Sequence, residues 1–118
     1  MKISDIKQLL DAEVVCNEEL LGKQVYSAFG SDMMSDVLAY VNDQAVLLSG
    51  LLNPQVIRTA VMMDMVCIVF VRSKKPTPEM VELAKQSGIV LLATTKTMYE
   101  SCGILYSNGL VGNKVKDA

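Results

Sequence analysis

The sequence predicts an α/β fold, a compact layered sandwich on a mostly parallel sheet. Three observations carry that prediction. The short apolar runs 45–48 (AVLL), 66–71 (VCIVFV) and 89–93 (IVLLA) have the composition of strands buried on both faces. Each run leaves through a polar or turn-forming loop into a segment with helix-start signals. The strand, loop and helix therefore recur as a unit, which parallel strands joined by right-handed crossovers accommodate.

The elements follow in chain order. A short first helix carries Ile3, Ile6 and Leu10 on one side, with Ser4 as its expected cap. Residues 13–16 (EVVC) read as a strand, and 18–21 as one helical turn stopped by Gly22. Residues 25–29 (VYSAF) alternate, as a half-exposed or edge strand does. Gly30-Ser31-Asp32 then turns the chain and caps a helix whose buried face is Met33, Met34, Val37, Leu38 and Val41. Asn42-Asp43-Gln44 breaks to the strand at Ala45, and Ser49-Gly50 ends that strand.

Asn53 is placed to cap the next helix, and Pro54 fits its first turn. That helix, 54–63, is expected to bury Val56, Ile57, Ala60 and Val61. Strand 66–71 exits through 72–76 (RSKKP). Thr77 caps and Pro78 starts the following helix, with Glu79 on its positive end and Gly88 as its stop. Strand 89–93 leaves through Thr94-Thr95-Lys96. Thr97 and Glu100 have capping-box spacing for a last helix to about residue 106, which Gly109 ends. The tail 113–118 is polar and expected to fray.

Length and composition narrow the function. The 118 residues read as one domain, 1–118, with no linker or repeat. Half the residues are apolar, as in a globular core. A formal charge of −2 without a basic stripe argues against nucleic acid. No apolar run reaches a membrane span, and no signal peptide opens the chain, so a cytoplasmic protein is expected. There is no His, which removes the usual general base and the commonest metal ligand. Cys16, Cys67 and Cys102 are widely spaced with no CxxC, so they read as small buried hydrophobes. Asp32 and Asp36 have the spacing of a solvated helix face rather than a metal site. No GxxxxGK[ST] loop is present. No enzyme activity, catalytic residue, metal or cofactor is expected.

In open parallel sheets ligands sit beyond the carboxyl ends of the strands. Three loops share that edge here, around residues 49–54, 72–76 and 94–97. They offer Ser49, Gly50, Asn53, Arg72, Ser73, Lys74, Lys75, Thr94, Thr95 and Lys96, a donor set suited to a small anion such as phosphate. Asp32 and Ser27 are expected nearby, and Arg58 is either a ligand contact or a flank ion pair. Each residue also has a plainer role. Asn53 and Thr97 are good caps in any case, and the lysines are ordinary loop charges.

The run SGLLNPQVIRTA (49–60), continued by VCIVFVRSKKPTPEMVELAKQSGIVLLATTKTMYESCGILYSNGL (66–110), resembles the DRTGG domain family. The likeness extends back through AEVVCNEELLGKQVYSAFGSDMMSDVLAYV (12–41). That family is similar to the N-terminal, non-catalytic domain of HPr kinase/phosphorylase, a small α/β sandwich, so the resemblance implies that fold without the kinase loop. The chain departs from the family's name motif. Leu51-Leu52 stand where an Asp-Arg pair would follow Gly50, and Val71-Arg72-Ser73 where Thr-Gly-Gly would sit. In relatives fused to CBS domains in an inorganic pyrophosphatase, the module helps form a dimer that binds adenine nucleotides. The resemblance thus implies a homodimer and an adenine nucleotide ligand. The GLxNPQVIRTA variant is more similar to stand-alone members often encoded near iron-only hydrogenase or related redox genes, which implies a regulatory or accessory role there. The competing expectation is a protein–protein adaptor without a small ligand, with Leu51, Leu52 and the Met-rich helices as its apolar patch.

Overall fold

The computed structural model describes residues 1–41 and 44–112. The helix break expected at Asn42-Asp43 and the polar tail 113–118 lie outside the described residues. Five strands, β1 (Glu13–Cys16), β2 (Ser27–Gly30), β3 (Ala45–Ser49), β4 (Cys67–Phe70) and β5 (Val90–Ala93), form one sheet in the order β1-β5-β4-β3-β2. β2, β3, β4 and β5 are parallel, and β1 closes the far edge antiparallel to β5. The three apolar runs of the sequence are the centre of this sheet, and every residue of β3, β4 and β5 is buried.

Strand periodicity of two sends alternate side chains to opposite faces. On one face Leu47, Ile68, Phe70 and Leu91 pack with α2 (Met34–Tyr40), α3 (Pro54–Met62) and α4 (Pro78–Ser87) through Val37, Val56, Ile57, Ala60, Met80 and Ala84. On the other, Val46, Leu48, Val69, Val90 and Leu92 pack with α1 (Ile3–Leu9) and α5 (Met98–Ser107) through Ile3, Ile6 and Leu105. The result is the predicted α/β sandwich. No helix among the described residues is long and apolar enough to cross a membrane.

Local expectations failed where a neighbour supplied the contact that the sequence assigned to a local side chain. Lys2, not Ser4, caps α1, and its amide donates to Asp5 Oδ2 at 2.9 Å. The amides of Ile3 and Ser4 are taken by the carbonyls of Lys23 and Leu21, so no side-chain cap is needed there. α2 begins after Met33, and Ser31 Oγ rather than Asp32 accepts the Met33 amide at 2.9 Å. Met33 and Leu38 point out to solvent, 61% and 44% exposed, because this seven-residue helix turns only Met34 and Val37 inward, with Val41 following it. Val61, at the solvent-facing end of α3, is also exposed, and Thr59 takes a buried place instead. β2 starts at Ser27 rather than at Val25. The 3₁₀ turn Glu18–Leu20 ends before Gly22.

The caps Asn53, Thr77 and Thr97 each accept a backbone amide of their own helix, from Gln55, Met80 and Glu100. Gly88, at φ +72°, closes α4 in the left-handed region that a glycine adopts without steric cost.

One tie was not foreseen. Asn17 leaves β1 at φ +62°, and its Nδ2 donates to Ala84 O at 2.9 Å and Ile89 O at 2.8 Å. Asn tolerates that conformation better than most residues, and here its amide joins the strand β1 to the end of α4 and the start of β5. Replacing it leaves two carbonyls without this donor and puts a Cβ-only residue at positive φ. Asn17→Ala is expected to lower stability by about 2 kcal/mol, read as a lower midpoint at unchanged m-value in urea.

Candidate functional site

The parallel strands all point their carboxyl ends to one edge, and the backbone ladder runs on past the strands there. Val71 N donates to Ser49 O at 3.1 Å and Thr94 N to Phe70 O at 2.9 Å. Beyond β4 the chain folds sideways over the exit of β5, with Arg72 N donating to Lys96 O at 2.8 Å and Ser73 N to Thr94 O at 3.0 Å. This sideways step requires left-handed backbone at two successive residues, Arg72 at φ +58° and Ser73 at φ +60°. Neither is glycine, so each carries a steric cost of about 1–2 kcal/mol.

The Arg72 side chain runs back across β3. A Cβ added at Gly50 would lie 2.6 Å from Arg72 Nη2, so a larger residue there would push the guanidinium aside from this path. Its partner is Asp32, whose Oδ2 lies 3.9 Å from Arg72 Nη2. Asp32 Oδ1 accepts from Ser49 Oγ at 2.9 Å and from Gly50 N at 2.7 Å. Ser49 is fully buried, and its Oγ in turn accepts the Leu51 amide at 3.2 Å. A hydroxyl, a backbone N–H and a guanidinium thus converge on one carboxylate. Gly30, two residues earlier, sits where α5 crosses β2; a Cβ there would meet Cys102 Sγ at 2.9 Å.

On the other side of the Arg72-Ser73 step is a small cleft of about 200 Å³, lined by Asp11, Glu13, Ser73, Lys75, Thr94 and Thr95. Lys75 and Glu13 form an ion pair there. Thr94 is buried and donates to Leu10 O at 2.8 Å while accepting the Lys96 amide, so it fastens α1 to this edge.

The candidate residues therefore fall into groups. Asp32, Ser49, Gly50 and Arg72 form one bonded cluster. Ser73, Thr94 and Thr95 line the adjoining cleft, and Lys96 joins that side through its backbone. Asn53 begins α3 beside them as its cap. Arg58 stands exposed in the middle of α3, and no ion pair holds it among the described residues. Ser27 pairs with Ala45 at the opposite, amino-end edge of the sheet, because β2 runs parallel to β3. Leu51 is half-buried against the core, whereas Leu52 stays exposed.

Asp11 and Glu13 were missed. They reach the cleft because β1 pairs antiparallel with β5, setting Glu13 opposite Ala93. The local signal available was only a strand of unknown partner. Burial pushes the Cys67 thiol far up, and it also raises Cys16 and Cys102, so none of the three favours a thiolate. Among the described residues, no group of three acidic or thiol side chains could hold a metal ion.

The DRTGG domain family model matches residues 5–107, and the chain belongs to that family. No curated protein matches it. It is similar to a solved structure of the CBS and DRTGG domains of the regulatory region of Clostridium perfringens pyrophosphatase, complexed with an activator, diadenosine tetraphosphate. The TM-score is 0.70 at 17% identity, over 88% of this chain and 45% of that one, so the chain spans under half of the matched protein piece.

Arg72 and Ser73 thus stand at two successive left-handed positions, the conformation that glycine adopts without steric cost. Arg72 and Ser73 occupy a turn shaped for glycine. Ser73→Gly is expected to stabilise the fold by about 0.5–1 kcal/mol, the relieved strain exceeding the extra chain entropy of glycine. That is a rise of about 2–4 °C in a thermal melt. Arg72→Gly should gain less, because it also removes the guanidinium from Asp32.

Proposed function

We propose that this DRTGG-family chain is a non-enzymatic regulatory or accessory domain that binds a small anionic ligand, an adenine nucleotide by preference, at the carboxyl edge of its sheet. The observation that carries this is the convergence of Ser49, Gly50 and Arg72 on a single carboxylate, which is the donor set an oxyanion needs. Ser73, Thr95 and Lys96 lie on the adjoining side of the same edge. The similar structure supports the choice of nucleotide, since its regulatory region holds diadenosine tetraphosphate as an activator. Binding would act by population shift, favouring one arrangement of the edge loops and of a homodimer. A cytoplasmic setting and a link to iron-only hydrogenase or redox metabolism belong to the same reading, and rest on the likeness of residues 50–60 to stand-alone members.

A second reading, an adaptor without a small ligand, is supported by Leu52, Met33 and Met62, which remain exposed. It is weakened by Leu51, half of which packs into the domain's own core.

A thermal melt against ATP, ADP, diadenosine tetraphosphate and phosphate separates the two. A ligand at about 100 times its Kd stabilises the fold by about 2.7 kcal/mol, on the order of ten degrees for a chain of this size. The expected outcome is a shift with an adenine nucleotide that Arg72→Ala abolishes. A flat panel would favour the adaptor, to be pursued by pull-down.

A further inference from the structure

We infer that the anion cradle at the carboxyl edge is occupied by the chain's own Asp32, and that an external oxyanion binds by displacing it. The inference rests on the proposed reading only in placing the ligand's anion at this edge.

The geometry is that of a receptor holding its ligand. Asp32 Oδ1 takes the two short donors, Gly50 N at 2.7 Å and Ser49 Oγ at 2.9 Å, and Oδ2 faces the Arg72 guanidinium. The donors come from the end of β3, the residue after it and the loop after β4; the acceptor comes from the segment between β2 and α2. The two short donors are fixed by the sheet. Ser49 is fully buried and paired in register with Phe70, and Gly50 follows it under the guanidinium.

The acceptor is held less firmly. The Asp32 side chain is 48% exposed, Arg72 is 53% exposed, and their contact is long at 3.9 Å. The carboxylate is a tethered competitor with a high effective concentration, so a free anion of similar chemistry meets a lowered apparent affinity. Phosphate presents more oxygens and more charge than a carboxylate to the same three donors, and so can exchange with it. Exchange would release the carboxylate of Asp32, between Ser31, whose amide stays on Leu48 O at 3.0 Å, and Met33, whose amide is capped by Ser31 Oγ at the start of α2. Ligand occupancy and the position of that helix start are thereby linked.

The alternative is that Asp32 is a permanent fastener between loops. Inorganic phosphate distinguishes the two, followed by ¹H–¹⁵N NMR at the Gly50 amide and Arg72 Nε–H, with chloride at matched ionic strength as control. Asp32→Ala is expected to bind phosphate about tenfold tighter than the parent chain, as removal of an internal competitor requires. The gain should vanish in the Asp32→Ala/Arg72→Ala double variant. Asp32→Ser serves the same purpose should the alanine variant fail to fold.

Equal or weaker phosphate binding in the Asp32 variants overturns the inference, as does a gain that survives loss of Arg72 or that leaves the Gly50 amide unmoved. Absence of any nucleotide effect on the parent chain would sink the proposed function alone, since phosphate on the Asp32 variants is read independently.

Discussion

The burial of β3, β4 and β5 on both faces governs the rest of the molecule. Their backbone groups can pair only with neighbouring strands, because helices close both sides of the sheet. Three parallel neighbours paired in register must then release their chains at one edge. The loops that follow have nowhere else to go. Ser49, Arg72 and Thr94 are neighbours in space for that reason, although long helical crossovers separate them in the chain.

What the sequence discloses and what it hides divides along the same line. Strands 45–48, 66–71 and 89–93 were legible because full burial leaves an uninterrupted apolar run. Asn53, Thr77 and Thr97 were legible because capping is a contact between residues two or three apart. The position of β1 was not, since EVVC says nothing about which strand it meets. The pairing with β5 lies far along the chain, and with it Asp11 and Glu13 reach the second cleft. Asn17 and Ser4 failed to show their roles for the same reason: their partners, or the groups that replaced them, come from distant segments.

The candidate site was partly legible. The three loops and most of their residues could be gathered from topology alone. The bonds among them could not, because nothing in Asp32 announces that it reaches Gly50 rather than capping α2. The left-handed pair Arg72-Ser73 was equally silent, as neither residue prefers that backbone. Glycine at those positions would ease the turn but would leave nothing to cross Gly50. The chain keeps a conformationally costly arginine, and with it a positive charge on the edge where carboxylate and hydroxyl already meet.

The ends of the described chain have a geometry of their own. Met1 and Leu110 line a single cleft of about 430 Å³, together with Val25 and Tyr26. α1 runs from there toward the carboxyl edge, where Leu10 meets Thr94, and α5 runs back from Thr97. Met1 and Leu110 therefore meet toward the amino end of the sheet, opposite the end that carries Arg72. A contact made at that cleft would cover one end of the sheet and leave the other, with Arg72, open to solvent.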